Sequence, residues 1–278
     1  MSKSREKLLI FSIIALVLAA LAFLAYLLRA KIIKANQAPV ITCASRELHV
    51  SVEATKEDLL TGVTAMDAED GDLTDRVIVG SLSAFMDVGK CEVTYVVFDS
   101  GNKVATATRT IVYTDYHPPR FSLSDDMIFY SGDSVNPLNN ITAYDCIDGN
   151  ITGRISLAWL DDDGSNNTAE FTVINSMGDL SVLVVGIKRV DKPGSNTPVI
   201  KLNKYLEYIE RGENIDPISY IKSISIGRSI YTVEEFGYEN ITYDLGDFDS
   251  LVPGTYSIMI HCMNGELVGD TELIVIVE

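Results

Sequence analysis

The sequence predicts an all-β protein, tandem antiparallel sandwiches standing behind one N-terminal membrane-crossing helix. Three observations predict it. One uninterrupted apolar run lies near the start, a proline-led opening recurs at about eighty-residue spacing, and runs rich in Val, Ile, Thr and Tyr alternate between Asp-Gly and Asn-rich turns.

The apolar run extends from Leu8 to Leu28, with Lys3, Arg5 and Lys7 before it and Arg29, Lys31 and Lys34 after it. Twenty-one residues at helical rise reach roughly 31 Å, which matches a hydrocarbon core of about 30 Å. A cleaved signal peptide carries a shorter apolar core. Ala20-Leu21-Ala22 has the small residues of a cleavage site, but the run continues past it, so an uncleaved anchor is expected. Tyr26 falls at headgroup depth. The basic residues balance, three on each side, and leave orientation to another feature: a seven-residue tail is easily retained while a long body translocates. The expected order is a cytoplasmic tail (1–7), a single-pass helix in the cell membrane (8–28), a linker (29–38) and an extracellular body. Ala15, Ala19 and Ala22 give a weak helix-pairing signal.

Charge is divided sharply along the chain. Residues 1–38 hold six Lys and Arg and one Glu, a net +5 against −17 for the whole chain, so residues 39–278 carry −22. Such a surface repels nucleic acid and anionic lipid, and suits an exported domain, a cation-binding surface or a basic partner.

The recurring opening is Ala38-Pro39-Val40-Ile41-Thr42, then His117-Pro118-Pro119-Arg120-Phe121, then Thr197-Pro198-Val199-Ile200-Lys201. Proline stiffens the chain where one unit hands over to the next, which divides the body into repeats at 39–116, 117–196 and 197–278. Asp67-Ala68-Glu69-Asp70-Gly71-Asp72-Leu73-Thr74 in the first repeat answers Asp145-Cys146-Ile147-Asp148-Gly149-Asn150-Ile151-Thr152 in the second. The third lacks this turn but keeps Gly254-Thr255-Tyr256, matching Gly89-Lys90-Cys91. Cys91, Val93, Tyr95 and Val97 alternate on one strand face, and the turn Asp99-Ser100-Gly101-Asn102 leads into a second strand from Val104 to Tyr113. Runs at 181–190 and 273–277 read as the equivalent closing strands. Shorter strands are expected at 40–44, 62–66, 76–79, 155–160 and 256–262, and no helical periodicity competes outside the anchor.

These residues resemble the bacterial immunoglobulin-like repeats of Gram-positive surface proteins, which also occur appended to pesticidal crystal proteins. The first repeat carries the likeness through Pro39-Val40-Ile41-Thr42, Gly62-Val63-Thr64-Ala65-Met66-Asp67, Asp70-Gly71-Asp72-Leu73-Thr74, and Val93-Thr94-Tyr95 followed by Asp99-Ser100-Gly101-Asn102. The second carries it through Ile141-Thr142-Ala143-Tyr144-Asp145 and its Asp-Gly turn, and the third diverges. The resemblance implies immunoglobulin-like sandwiches used outside the cell as spacers, adhesins or binding modules, without catalysis.

Asp67, Glu69, Asp70 and Asp72 place four carboxylates within six residues, a density that calcium could exploit through oxygen ligands. The spacing is not that of an EF-hand, because Gly71 falls at position five rather than six counted from Asp67. In an immunoglobulin-like sandwich the loop after the second strand and the last hairpin share one end, which brings Asp99 and Asn102 toward Asp67, Asp70 and Asp72. By the same topology Asp145, Asp148 and Asn150 face the linker that carries Asp115, so calcium could stiffen the junction between the first two repeats. Asp and Asn are equally ordinary turn formers that bond their own backbone, so the same residues have a purely structural explanation. Cys43 and Cys91 occupy inward positions of the repeat pattern and either bridge the sheets or remain two buried thiols. Cys146 and Cys262 read as small buried hydrophobes.

His49, His117 and His261 lie in different repeats, and neither a nucleophile elbow nor a zinc helix is present, so no enzyme is expected. No cofactor is required, with calcium the one candidate. Trp159, ahead of Asp161-Asp162-Asp163-Gly164, is either a core residue or a sugar-stacking platform, with core favoured. Asn140, Asn150, Asn166 and Asn240 begin Asn-x-Thr sequons, which would mean glycosylation in a eukaryotic secreted protein; chance, from the abundance of Asn and Thr in turns and strands, is the preferred explanation. The reading is a membrane-anchored extracellular structural or adhesion protein with a protein or glycan ligand outside the cell. A carbohydrate- or wall-polymer-binding module and an envelope-assembly or secretion accessory are the alternatives.

Overall fold

The computed structural model describes residues 2–35, 37–161 and 167–278; Asp162, Asp163, Gly164 and the sequon at Asn166 lie outside the described residues. The chain divides into two compact units, Met1–Asp115 and Tyr116–Glu278. The protein is all-β apart from its N-terminal helix and a few single turns of helix.

Helix α1 runs from Ser2 to Ala35. Its segment Leu9–Arg29 has a mean hydropathy of 2.7 and none of it is buried, so these apolar side chains contribute nothing to a protein core.

The rest of the first unit comprises β1 (Val40–Cys43), β2 (Glu47–Val50), α2 (Lys56–Leu59), β3 (Val63–Asp67), β4 (Gly71–Asp72), β5 (Ile78–Leu82), β6 (Lys90–Phe98) and β7 (Val104–Tyr113). The strands form two sheets, β1-β3-β4 and β2-β7-β6-β5. Alternation decides the faces: Cys91, Val93, Tyr95 and Val97 are fully buried, while the residues between them are half-buried or exposed. The strand expected at 40–44 is present as β1, and a second strand that was not expected, β2, follows it in the other sheet. β1 pairs antiparallel with β3, and after Ala44-Ser45-Arg46 the chain crosses so that β2 pairs in parallel with the end of β7, Glu47 beside Thr110 and Val50 beside Tyr113. The turn of α2 was not expected. It is too short for a 3.6-residue period, and is held by a capping box between Thr55 and Asp58.

The second unit repeats this topology twice. Its first half contains β8 (Arg120–Leu123), β9 (Ile128–Tyr130), β10 (Ile141–Asp145), β11 (Gly149–Asn150), β12 (Ser156–Trp159), β13 (Thr168–Ile174), β14 (Leu180–Gly186) and β15 (Lys188–Val190). Its second half contains β16 (Val199–Leu202), β17 (Leu206–Ile209), β18 (Ile221–Ile226), β19 (Ser229–Tyr231), α3 (Val233–Phe236), β20 (Ile241–Asp244), β21 (Gly254–Asn264) and β22 (Leu267–Val277). The sheets β8-β10-β11 and β16-β18-β19 correspond to β1-β3-β4, and the parallel pairs β9·β15 and β17·β22 correspond to β2·β7. The closing strand expected at 181–190 is broken at Ile187 into β14 and β15, and the one expected at 273–277 extends back to Leu267. In the third repeat the β18–β19 hairpin and α3 stand where the others carry their acidic turn.

One hydrophobic core runs through both halves of the second unit, from Phe121, Met127 and Phe171 to Ile224, Ile260 and Leu273. Trp159 is half-buried and packs against this core rather than standing out as a platform.

Candidate functional site

The acidic turns are built alike in the first two repeats. Asp67 Oδ1 accepts the backbone N–H groups of Glu69 and Asp70, both at 2.8 Å; Asp145 Oδ1 accepts those of Ile147 and Asp148 at 2.9 and 2.8 Å. The chain then reverses through Gly71 and Gly149, whose φ values of 78° and 71° lie in the left-handed region that glycine adopts without strain. Asp72 and Asn150 accept the N–H of Thr74 and Thr152, and those threonine hydroxyls accept the N–H of Ala65 and Ala143.

Each turn also grips its hairpin. Asp70 accepts the Ser100 N–H at 2.5 Å and its hydroxyl at 2.8 Å, so the acidic turn and the 99–102 loop meet, as the topology implied. In the second repeat Asp148 takes the corresponding bonds from Ser176 and a third from the Arg154 guanidinium. Asp99 Oδ1 accepts the Lys103 N–H at 2.7 Å, and Asn102 holds the turn at φ 62°. Asp115 accepts the Ser51 hydroxyl at 2.6 Å and the Val52 N–H at 2.8 Å.

The electrostatics follow the donors. Backbone N–H groups of Asp70 and Glu69 hold Asp67 below the usual carboxylate range, the Thr74 hydroxyl and N–H do so for Asp72, and the Ser51 hydroxyl with the Val52 N–H does so for Asp115. Burial alone would raise Asp148, but the bonds from Ser176 and Arg154 together outweigh it and bring it down. Among the described residues no three His, Cys, Asp or Glu gather as a metal-holding group. The oxygens counted as candidate calcium ligands hold the turns together in this structure, and Asp67 Oδ2 is buried without a hydrogen-bond partner.

Cys43 and Cys91 do not bridge, and no disulfide joins Cys146 or Cys262; the Cys146 thiol donates to the His117 carbonyl at 3.5 Å. Cys43 is half-buried on β1, whereas Cys91 is fully buried on β6 with its thiol hydrogen-bonded to Tyr113. Burial raises Cys91 and pushes Cys262 up to about 12.

Sequence reasoning missed the joint between the two halves of the second unit. The Tyr208 hydroxyl accepts the Phe121 N–H at 2.9 Å, and its ring lies 4.9 Å from the Arg120 guanidinium, which also binds Glu278. Lys201 reaches Asp125 at 2.8 Å, Thr271 donates to Asp126 at 2.8 Å, and Lys188 meets the buried Glu272 at 2.9 Å. No motif marks these residues, since each lies singly in an ordinary strand.

No known protein family and no curated protein matches the sequence. Among solved structures, similar ones include the CBM51-2 and INT domains of Clostridium perfringens ZmpB in complex with GlcNAc, at 18% identity over 54% of this chain and 41% of that one, TM-score 0.23. The M60 catalytic domain with CBM51-1 and CBM51-2 from the same protein matches at 15% identity over 87% and 31%, TM-score 0.24. Human CDH23 EC21-23 matches at 13% identity over 86% and 100%, TM-score 0.22. The chain spans well under half the length of the ZmpB structures, and at these TM-scores none of the likenesses carries an argument about its activity.

Proposed function

We propose that this chain is a membrane-anchored structural or adhesive protein that holds tandem immunoglobulin-like modules outside the cell. The observation that carries the reading is α1. Twenty-one residues from Leu9 to Arg29 average 2.7 in hydropathy and bury none of their surface against the protein, an arrangement stable in lipid and costly in water. The strongly acidic body suits the outer side of a membrane, and its acidic turns serve as loop fasteners rather than catalytic groups.

The short basic tail stays in the cytoplasm in this reading, and residues 39–278 face outward. Protease added to intact, wall-stripped cells should then remove the body and leave α1 in the membrane fraction. Complete protection of residues 39–278 would overturn the orientation. Release of the full chain by a carbonate wash would overturn the anchor.

A further inference from the structure

A cavity of about 410 Å³ opens in the second unit between β9, the chain following β15, and the β21–β22 hairpin. A second, of about 260 Å³, adjoins it and shares Asp126, Tyr130 and Asp270, so together they make one groove along the joint between the second and third repeats. Clefts between packed modules are common binding places.

The charges along this groove do not balance. Every lysine is already engaged: Lys188 by Glu272 at 2.9 Å, Lys192 by Asp133 at 3.0 Å, and Lys201 by Asp125 at 2.8 Å. Among the described residues Asp126 and Asp191 form no direct salt bridge, although Lys201, bound to Asp125, also attracts Asp126, and Asp270 pairs only with His261, at 2.7 Å. Behind Lys188, outside the groove lining, Glu272 is 3% exposed; its Oε1 takes Lys188 and the Ser257 hydroxyl, and its Oε2 has no hydrogen-bond partner.

These carboxylates are spread along the groove rather than gathered, and no metal-holding group forms among the described residues. An extended ligand bearing more than one positive group matches such spacing better than a single ion. Burial pushes the Asp126 carboxyl above its usual range despite the Thr271 hydroxyl, so an incoming cation there would offset a desolvation already incurred by folding. Ile128 and Val190 supply apolar wall for an alkyl stem, and Tyr130 supplies an aromatic ring. The −17 charge of the chain would draw such a ligand in and repel an anion.

We propose that this groove binds a ligand through its primary ammonium groups, either a lysine-bearing peptide or a free polyamine. The inference concerns the second unit alone and holds whichever way the anchor is oriented.

The test is calorimetric titration of the full chain in nonionic detergent at physiological salt with trilysine, with spermidine, and with trilysine acetylated on its side-chain amines. Saturable binding of trilysine or spermidine, lost on acetylation, is expected; a preference for trilysine identifies a peptide ligand, and equal binding of spermidine identifies the ammonium alone. The Asp191→Asn, Asp270→Asn variant should weaken binding severalfold, and adding Asp126→Asn should bring the loss to about tenfold, as removal of partly exposed charge pairs allows. A control losing equal charge elsewhere, Asp75→Asn, Glu92→Gln and Glu234→Gln, should change affinity less than about twofold. Equal losses in both triple variants, undiminished binding of the acetylated peptide, or no saturable binding of either amine would overturn the proposal. Asp191 and Asp270 are exposed, so the double variant separates lost binding from lost folding.

Discussion

Asp148 accepts both the backbone N–H and the hydroxyl of Ser176, at 2.7 and 2.6 Å, and thereby ties the acidic turn to the neighbouring hairpin of the same repeat. Asp70 and Ser100 make the same pair of bonds in the first repeat.

Removing this tie should be felt in stability rather than in metal response. Asp148→Ala leaves the Ser176 donors and Arg154 without their shared acceptor, at a cost of about 1–3 kcal/mol. Urea denaturation should show a lower midpoint. Millimolar calcium should leave the melting temperature of the wild-type chain unchanged, and a rise abolished by Asp148→Ala would return these turns to the calcium reading.

The pH profile should have two opposed limbs. Asp67, Asp72, Asp115 and Asp148 sit below the ordinary value of 3.8, so the stability they contribute is complete above about pH 4 and is lost as pH falls through their folded values. Asp126 sits above 3.8 because of burial, so its destabilising effect is complete at neutral pH and is relieved as pH falls through its folded value. Asp126→Asn should therefore raise the denaturation midpoint at pH 7 and flatten the rise toward mild acid. A lower midpoint at pH 7 would contradict this account of the residue.

Two glycines should respond very differently to alanine. A Cβ at Gly269 would stand 1.8 Å from the Pro198 carbonyl oxygen, a backbone atom that cannot yield without moving the strand. Gly269→Ala is expected to cost about 3 kcal/mol or more. At Gly80 the nearest atom is Val96 Cγ2 at 2.8 Å, and a side chain can turn away, so Gly80→Ala should cost less. Thermal melts of the two variants decide the order.

Thiol chemistry should separate by burial. In the folded protein Cys43 should alkylate with iodoacetamide near pH 8, while Cys91 and Cys262 should label only after denaturation, because both are buried and their thiolates are disfavoured. Peptide mapping by mass spectrometry reads this directly. A Cys43–Cys91 disulfide in the purified protein would contradict the free thiols found here.

Much of the first repeat was legible because its strands expose one face and bury the other, so the Cys91–Val97 alternation translates into sidedness. The meeting of Asp70 with Ser100 was also within reach, since it depends only on which loops share an end of the sandwich. Arg109 was not recognised, although it shares the inward parity of Ile111. It is 5% exposed, and its guanidinium donates to the Thr61 carbonyl and the Ser45 hydroxyl at 2.7 Å, but the run is identified as a strand from its Thr, Val and Ala content without a reading of its two faces. The joint in the second unit was illegible for a different reason. Thr271 to Val275 are all buried, so no alternation survives, because the second repeat covers the strand face that one sandwich alone would leave in water.

The parallel pairing of β2 with β7, recurring as β9·β15 and β17·β22, governs how each repeat responds to being pulled from its ends. Tension that enters a repeat through β1 and leaves through β7 reaches β2 once β1 gives way from β3, and then draws two parallel neighbours past each other lengthwise. The bonds from Glu47 to Val50 are then loaded together in shear rather than peeled one at a time, and the same holds for Leu206 to Ile209 against Ile274 to Val277. Each repeat thus places a mechanical clamp between its two points of attachment, and a load carried along the chain meets these clamps before it reaches any core.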